Sequence, residues 1–294
     1  MTKYLLGIDG GGSKTDILIC DFEYNEVARH IVGRSNPNDI GIDSLLTLLS
    51  ESITSLLDDN DISANEIAAA FAGIAGLTSE DYSDRVKKLL SSILPEAKID
   101  ALHDGINVLY GAFPESDGVS IICGTGSSCF IKKGTEIHRI GGYGSFDMAG
   151  NGYEIGKRAV AHALKSIDGR EKRGKMDEML EKKLGTDMMT ALDRLVLMNK
   201  DELASFAPLV FEAAENGDKN AMMIIFENIS YVAELIARAG EHFEGEYKVA
   251  LAGGILKNSY ARELLETMLE PDCIIVSSDY APSFGAAARA KSLL

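Results

Sequence analysis

The chain has 294 residues, long enough for two domains, and its 46% hydrophobic content can supply a sizeable core. Lysine plus arginine number 29 against 45 aspartate plus glutamate, a formal net charge of −16. That surplus excludes a general nucleic-acid surface and an anionic-lipid surface, both of which need clustered cations.

Taken in order, an apolar run (Leu5, Leu6, Ile8) leads into Gly10, Gly11 and Gly12, then Ser13, Lys14 and Thr15, then a second β-rich run to Cys20. Glycines inside a strand–turn–strand weaken it, so their presence implies that something approaches the backbone closely. Bare amides beside a lysine and two hydroxyls suit phosphate oxygens, and Asp9 is placed to hold a cation. A Walker A loop fails here, because Ser13 intervenes before Lys14 and strand follows rather than helix. A Rossmann fingerprint fails too, since Thr15 stands where its third glycine is required.

Residues 26–32 read as a third strand, and the Gly33–Asp39 stretch as a loop of turn formers. Leucines and isoleucines from Leu45 to Leu57 recur at helical spacing. Residues 67–74 predict a buried strand, residues 79–93 a charged helix, and residues 98–102 a short strand. His103-Asp104-Gly105 ends that strand before a helix over 106–113, where Asp104 reads on its own as a helix N-cap.

The opening pattern then recurs: strand 119–123, the turn Gly124-Thr125-Gly126-Ser127, and a returning strand 129–132. Five glycines fall among residues 141–152, a composition suited to a ligand loop. Residues 153–241 predict mainly helices, with methionines 176, 179, 188, 189, 222 and 223 as core filling. A strand over 248–252 stops at Gly253-Gly254, and Ile255 to Asn258 opens a helix, offering amides and room for a nucleoside. A last strand covers 273–276, and a last helix with Gly285-Ala286-Ala287-Ala288 follows Pro282.

Cys20, Cys123, Cys129 and Cys273 form no C-x-x-C pair and stand in apolar runs, as expected of reduced thiols in a cytoplasmic protein. The start of the chain carries no signal-peptide pattern, and its longest uncharged stretch, residues 67–79, is short of a membrane span.

Five segments together resemble the sugar kinase, heat-shock ATPase and actin superfamily, and within it the BadF/BadG/BcrA/BcrD ATPase family, in its N-acetylglucosamine kinase-like branch. GIDGGGSKT (7–15) is similar to the first phosphate motif, IICGTGSS (121–128) to the second and LAGGILKN (251–258) to the adenosine motif. His103-Asp104 with the helix to Ala112, and APSFGAAARA (281–290), resemble the two connecting segments.

The resemblance implies an α/β fold of two ribonuclease-H-like domains, mixed sheets flanked by helices, around ATP and Mg²⁺. The expected domains are residues 1–113 and 114–294, with the last helix, 282–294, packing back on the first. It implies Asp9 for Mg²⁺, Gly11, Gly12, Ser13, Lys14, Thr15, Gly124, Thr125, Gly126 and Ser127 for phosphates, and Gly253, Gly254 and Asn258 for adenosine. Asp104 becomes the general base toward a sugar hydroxyl, and Asn36, Thr125, Gly142, Tyr143 and Asp147 line the acceptor pocket. The family's GGWGxxLGDEGS reads GGYGSFDMAGNGYEIG here, one residue shorter, with Met148 and Ala149 roughly where Asp and Glu are expected; the adjacent Asp147 can substitute only from a shifted backbone.

The expected activity is ATP-dependent phosphorylation of an amino sugar, N-acetylglucosamine first, with glucosamine or N-acetylmuramic acid as variants. A small-molecule sugar is the expected partner, and a homodimer is compatible with it. Two alternatives stand beside it: an ATPase that activates a partner enzyme through a cysteine-held iron–sulfur cluster, and a nucleotide- or sugar-sensing module without turnover.

Overall fold

The structure is a computed structural model that describes residues 3–77, 79–147, 150–277 and 280–294. The chain folds into two units, Met1–Gly118 together with Val276–Leu294, and Val119–Ile275.

In the first unit, β1 (Tyr4–Gly10) and β2 (Thr15–Cys20) form an antiparallel hairpin, and β3 (Glu26–Val32) pairs antiparallel with β2. A short helix α1 (Pro37–Ile40), not foreseen in the turn-forming loop, is capped by Asn36 and leads to α2 (Ile42–Asp58). Asn36 caps it as short polar side chains do, and Pro37 suits the first turn because it needs no N–H there. Then come β4 (Ile67–Ile74), α3 (Glu80–Ile93), β5 (Lys98–Leu102) and α4 (Gly105–Ala112). The sheet order is β3-β2-β1-β4-β5, with β4 parallel to both β1 and β5. Every residue of β2 and β4 is buried, which is why both read as continuous apolar runs rather than alternating ones. The one acid in β2, Asp16, is met by Arg29 through Nε at 2.8 Å and Nη2 at 2.5 Å, so its burial leaves no bare charge.

The second unit begins with β6 (Gly118–Cys123), β7 (Ser127–Lys133) and β8 (Glu136–Ile140), the last a strand that sequence patterning missed. Helices α5 (Gly152–Ile167), α6 (Lys175–Leu184), α7 (Leu192–Leu197), α8 (Lys200–Ala204), α9 (Ala207–Glu215) and α10 (Lys219–Gly240) follow. The chain returns through β9 (Tyr247–Ala252), α11 (Gly254–Lys257), α12 (Ser259–Glu266) and β10 (Cys273–Val276). Here the order is β10-β9-β6-β7-β8, with β6 parallel to β9. Counted from its own first strand, this repeats the first sheet's order read from the opposite edge. The expected α/β class and duplicated, mixed, helix-flanked sheets are both present.

Length and composition would let α10 cross a membrane, but Ile224, Ile229, Val232 and Ile236 lie in the core of the second unit. Met176 and Met188 fill that core as expected, whereas Met189, Met222 and Met223 are exposed. Hydrophobic spacing alone did not separate the two groups.

The last helix, α13 (Pro282–Lys291), belongs to the first unit and packs on β1, β4 and α4. Its small residues permit this. A Cβ at Gly7 would lie 2.4 Å from the Ser283 carbonyl oxygen, and one at Gly285 would lie 1.8 Å from the Asn107 carbonyl oxygen.

Candidate active site

In the first unit the candidate residues gather where the parallel strands end, the edge at which α/β sheets bind ligands. Asp9, Gly73 and Leu102 are level across β1, β4 and β5, and Asp104 lies two residues beyond Leu102. The hairpin turn is closed by Gly11 N–H donating to the Lys14 carbonyl at 2.9 Å. Gly12, Ser13 and Lys14 stand exposed at its apex. Thr15 differs from its expected role: it is fully buried and its hydroxyl donates to the Gly33 carbonyl at 2.8 Å.

Asp9 is pushed up to about 6, chiefly by burial. A hydrogen bond from Asn107 opposes the rise, while the nearby Asp104 and Asp16 carboxylates add to it and Lys14 opposes it. Such a carboxylate gains from a hard cation with oxygen ligands, so the residues present fit Mg²⁺.

Asp104 occupies the N-cap position of α4, yet its backbone is helical (φ −57°, ψ −23°) and its side chain makes no capping hydrogen bond. The capping reading therefore fails. The carboxylate is a third exposed, with Oδ1 lying 2.8 Å from His103 Nδ1, and Nδ1 accepts from the Gly105 N–H at 3.1 Å. Asn36 Oδ1 accepts from the Asn38 N–H at 3.0 Å and rests against Gly76, where a Cβ would fall 2.2 Å away. Gly76 has φ +85°, so both its conformation and its surroundings require glycine.

In the second unit, Gly124 N–H donates to the Gly126 carbonyl at 2.8 Å, and Gly152 N–H donates to the Gly124 carbonyl at 2.8 Å. The start of α5 is thereby docked on the turn. Asn151 caps α5 and donates from Nδ2 to Ser127 Oγ at 3.4 Å. Gly253 has φ +93°, and a Cβ there would lie 2.2 Å from the Cys123 carbonyl oxygen. Only glycine lets β9 end this close to the β6 backbone.

Beside that junction lies a cavity of about 420 Å³, a size suited to a nucleoside. It brings together the expected Gly124, Thr125, Gly254 and Asn258. Asn258 Oδ1 accepts from the Ala261 N–H at 3.1 Å, so that atom caps α12. The lining also includes Asp201 and Ala204 of α8, Ser205 just after it, and Pro208 and Phe211 of α9. None of these carried a motif, and their only sequence signal was membership of an amphipathic helical region.

Gly142, at φ +74°, folds the loop onto β7, where a Cβ would meet the Ser127 carbonyl oxygen at 2.8 Å. Arg139 Nε donates to the Gly141 carbonyl at 3.1 Å, and its Nη2 donates to the Gly142 carbonyl. Tyr143 is 66% exposed, leaving its ring open for stacking. Asp147 Oδ2 is buried and has no hydrogen-bond partner among the described residues. Met148 and Ala149, the departures from the family pattern, lie outside the described residues.

Cys123 and Cys129 are both fully buried. Burial pushes the Cys129 thiol up to about 12 and that of Cys123 higher still, opposite to what a cluster-ligating thiolate requires.

The chain is 30% identical over 309 residues to the N-acetylmuramic acid/N-acetylglucosamine kinase of Clostridium acetobutylicum, covering 99% of both chains. It is 27% identical to the N-acetyl-D-glucosamine kinase of Dictyostelium discoideum, covering 97% of each. Its fold matches a Chromobacterium violaceum protein assigned as an N-acetylglucosamine kinase, with TM-score 0.77 and 23% identity, over 97% of this chain and 98% of that one. The family model of the BadF/BadG/BcrA/BcrD ATPases matches residues 6–290, and the chain belongs to that family.

Proposed function

We propose that this chain is an ATP-dependent kinase that phosphorylates a hydroxyl of an amino sugar, with N-acetylglucosamine the first candidate. The observation that carries the reading is Asp104, a partly exposed carboxylate released from capping, close enough to raise the proton affinity of Asp9. The names of two relatives matched along nearly the whole chain support the sugar class.

In this reading Asp104 orients the acceptor hydroxyl and takes its proton as the new O–P bond forms and the bond from the γ-phosphorus to the bridging oxygen breaks, with ADP as the leaving group. Phosphoryl transfer asks little else of a protein than positioning and charge neutralisation. In the first unit Gly12, Ser13 and Lys14 are the candidates for contacting phosphate oxygens, and in the second Gly124 to Ser127 are. Asp9 would hold Mg²⁺, which when bound neutralises charge on the phosphate oxygens. The cavity of the second unit would take the nucleoside, with Pro208 and Phe211 as its apolar wall. Asn36 in the first unit, and Thr125, Gly142, Tyr143 and Asp147 in the second, are the candidates for recognising the sugar, Asp147 through an oxygen that has no partner among the described residues. Three fully buried free cysteines suit a reducing cytoplasm.

The test is ADP release by the purified protein with N-acetylglucosamine, N-acetylmuramic acid, glucosamine and glucose. Release that depends on an amino sugar is the expected result. Sugar-independent release would favour a partner-driving ATPase, and no release with any sugar would favour a sensing module.

A further inference from the structure

Asn107 lies in α4, one turn after Asp104, and is fully buried. Its Nδ2 faces three oxygens: Asp9 Oδ1 at 2.6 Å, the Gly73 carbonyl at 3.0 Å and the Ile8 carbonyl at 3.4 Å. This sets the orientation of the amide, because the reversed one would put Oδ1 against those oxygens. Its backbone N–H donates to the Asp104 carbonyl at 2.9 Å. One residue therefore grips the carboxylate of Asp9 with its side chain and the backbone of Asp104 with its main chain.

The surroundings hold Asn107 in place. A Cβ at Gly73 would fall 2.0 Å from Asn107 Oδ1, so β4 is bare where the amide lies. From the other side Gly285 of α13 closes on the Asn107 carbonyl. Oδ1 itself is buried with no hydrogen-bond partner among the described residues. An apolar side chain of similar shape would avoid that orphaned acceptor, so packing does not account for an asparagine here. Its donor does.

We infer that Asn107 is a positioning residue: it locks the metal-binding carboxylate of Asp9 and the Asp104-bearing end of α4 to the ends of β1 and β4, so that the two acids keep one fixed geometry. This rests on the proposed phosphoryl transfer, but its test does not depend on turnover.

Calorimetric titration with ADP, with and without Mg²⁺, measures how far the cation tightens nucleotide binding. In Asn107→Leu, which fills the same space and removes the orphaned acceptor, and in Asn107→Asp, which sets a carboxylate against Asp9, the tightening should fall by roughly 10- to 100-fold. ADP affinity without Mg²⁺ should stay unchanged, and in sugar assays kcat should fall while the sugar KM stays within about twofold. A folded variant of either kind in which Mg²⁺ tightens ADP as in the native protein would overturn the inference, as would a native protein that shows no tightening.

If neither variant folds, hydrogen exchange on the native chain decides. Amides of α4 should exchange together with those of β1, and independent opening of α4 would overturn the inference. Absence of sugar turnover in the native protein would instead count against the kinase reading alone.

Discussion

Replacing Asp9 by Asn should stabilise the ligand-free protein while removing its function. In the fold the carboxyl prefers its proton up to about pH 6, against 3.8 ordinarily, with burial the main cause. Between those two values the folded chain keeps a proton that the unfolded chain has released, so stability falls as pH rises through the interval. At 1.36 kcal/mol per pH unit the loss above pH 6 is about 3 kcal/mol. Asparagine carries no charge, and its Oδ1 still accepts from Asn107 Nδ2, which lies 2.6 Å from Asp9 Oδ1 in the native chain. In EDTA at pH 7.5, scanning calorimetry should therefore find Asp9→Asn more stable by up to about 3 kcal/mol, on the order of 5–10 °C in Tm for a domain of this size. The gap should close below about pH 4, where the native carboxyl is protonated in both states. Mg²⁺ with ADP should raise the Tm of the native protein and leave that of the variant nearly unmoved. A variant less stable than the native protein at pH 7.5, or a gap of equal size at pH 4, would refute the electrostatic account of Asp9.

Three further outcomes follow from the same geometry. Asp104→Asn should lower kcat by about 10²- to 10⁴-fold with ADP affinity nearly unchanged, measured by coupled assay and calorimetry. Gly253→Ala should weaken ADP binding severely, because a methyl group would lie 2.2 Å from the Cys123 backbone at a φ of +93°. Native-like ADP affinity in that variant would show that the junction does not shape the cavity. Phe211→Leu, keeping the buried wall apolar, should raise the ADP dissociation constant several-fold and leave the sugar KM unchanged.

The local features were readable because they are carried by neighbours in sequence. Three glycines after an apolar run mark a hairpin turn whatever surrounds it, and β1 and β2 form that hairpin. The unbroken apolar runs at 17–19 and 67–72 announce strands covered on both faces, as β2 and β4 are. β8 escaped notice because Glu136-Ile137-His138-Arg139-Ile140 is only half-buried and carries charge at a sheet edge. The α8 and α9 lining of the second unit's cavity escaped for a different reason. Asp201 to Phe211 reach Gly124 and Gly254 only through the packing of α8 and α9, and nothing in their order of residues records that meeting.

By itself, then, the sequence determined the glycine turns, their duplication, the strands that lead into them and the family they identify. Each of these depends on backbone freedom and hydrophobic period, properties of a residue and its few neighbours. Tertiary structure alone decided which polar atoms are available. It tied the Thr15 hydroxyl to Gly33, left Asp104 uncapped, raised Asp9 by burial and set Asn107 between two acids. Those outcomes depend on which distant groups share a low-dielectric space, and that is settled only when the sheet, α4 and α13 close on one another.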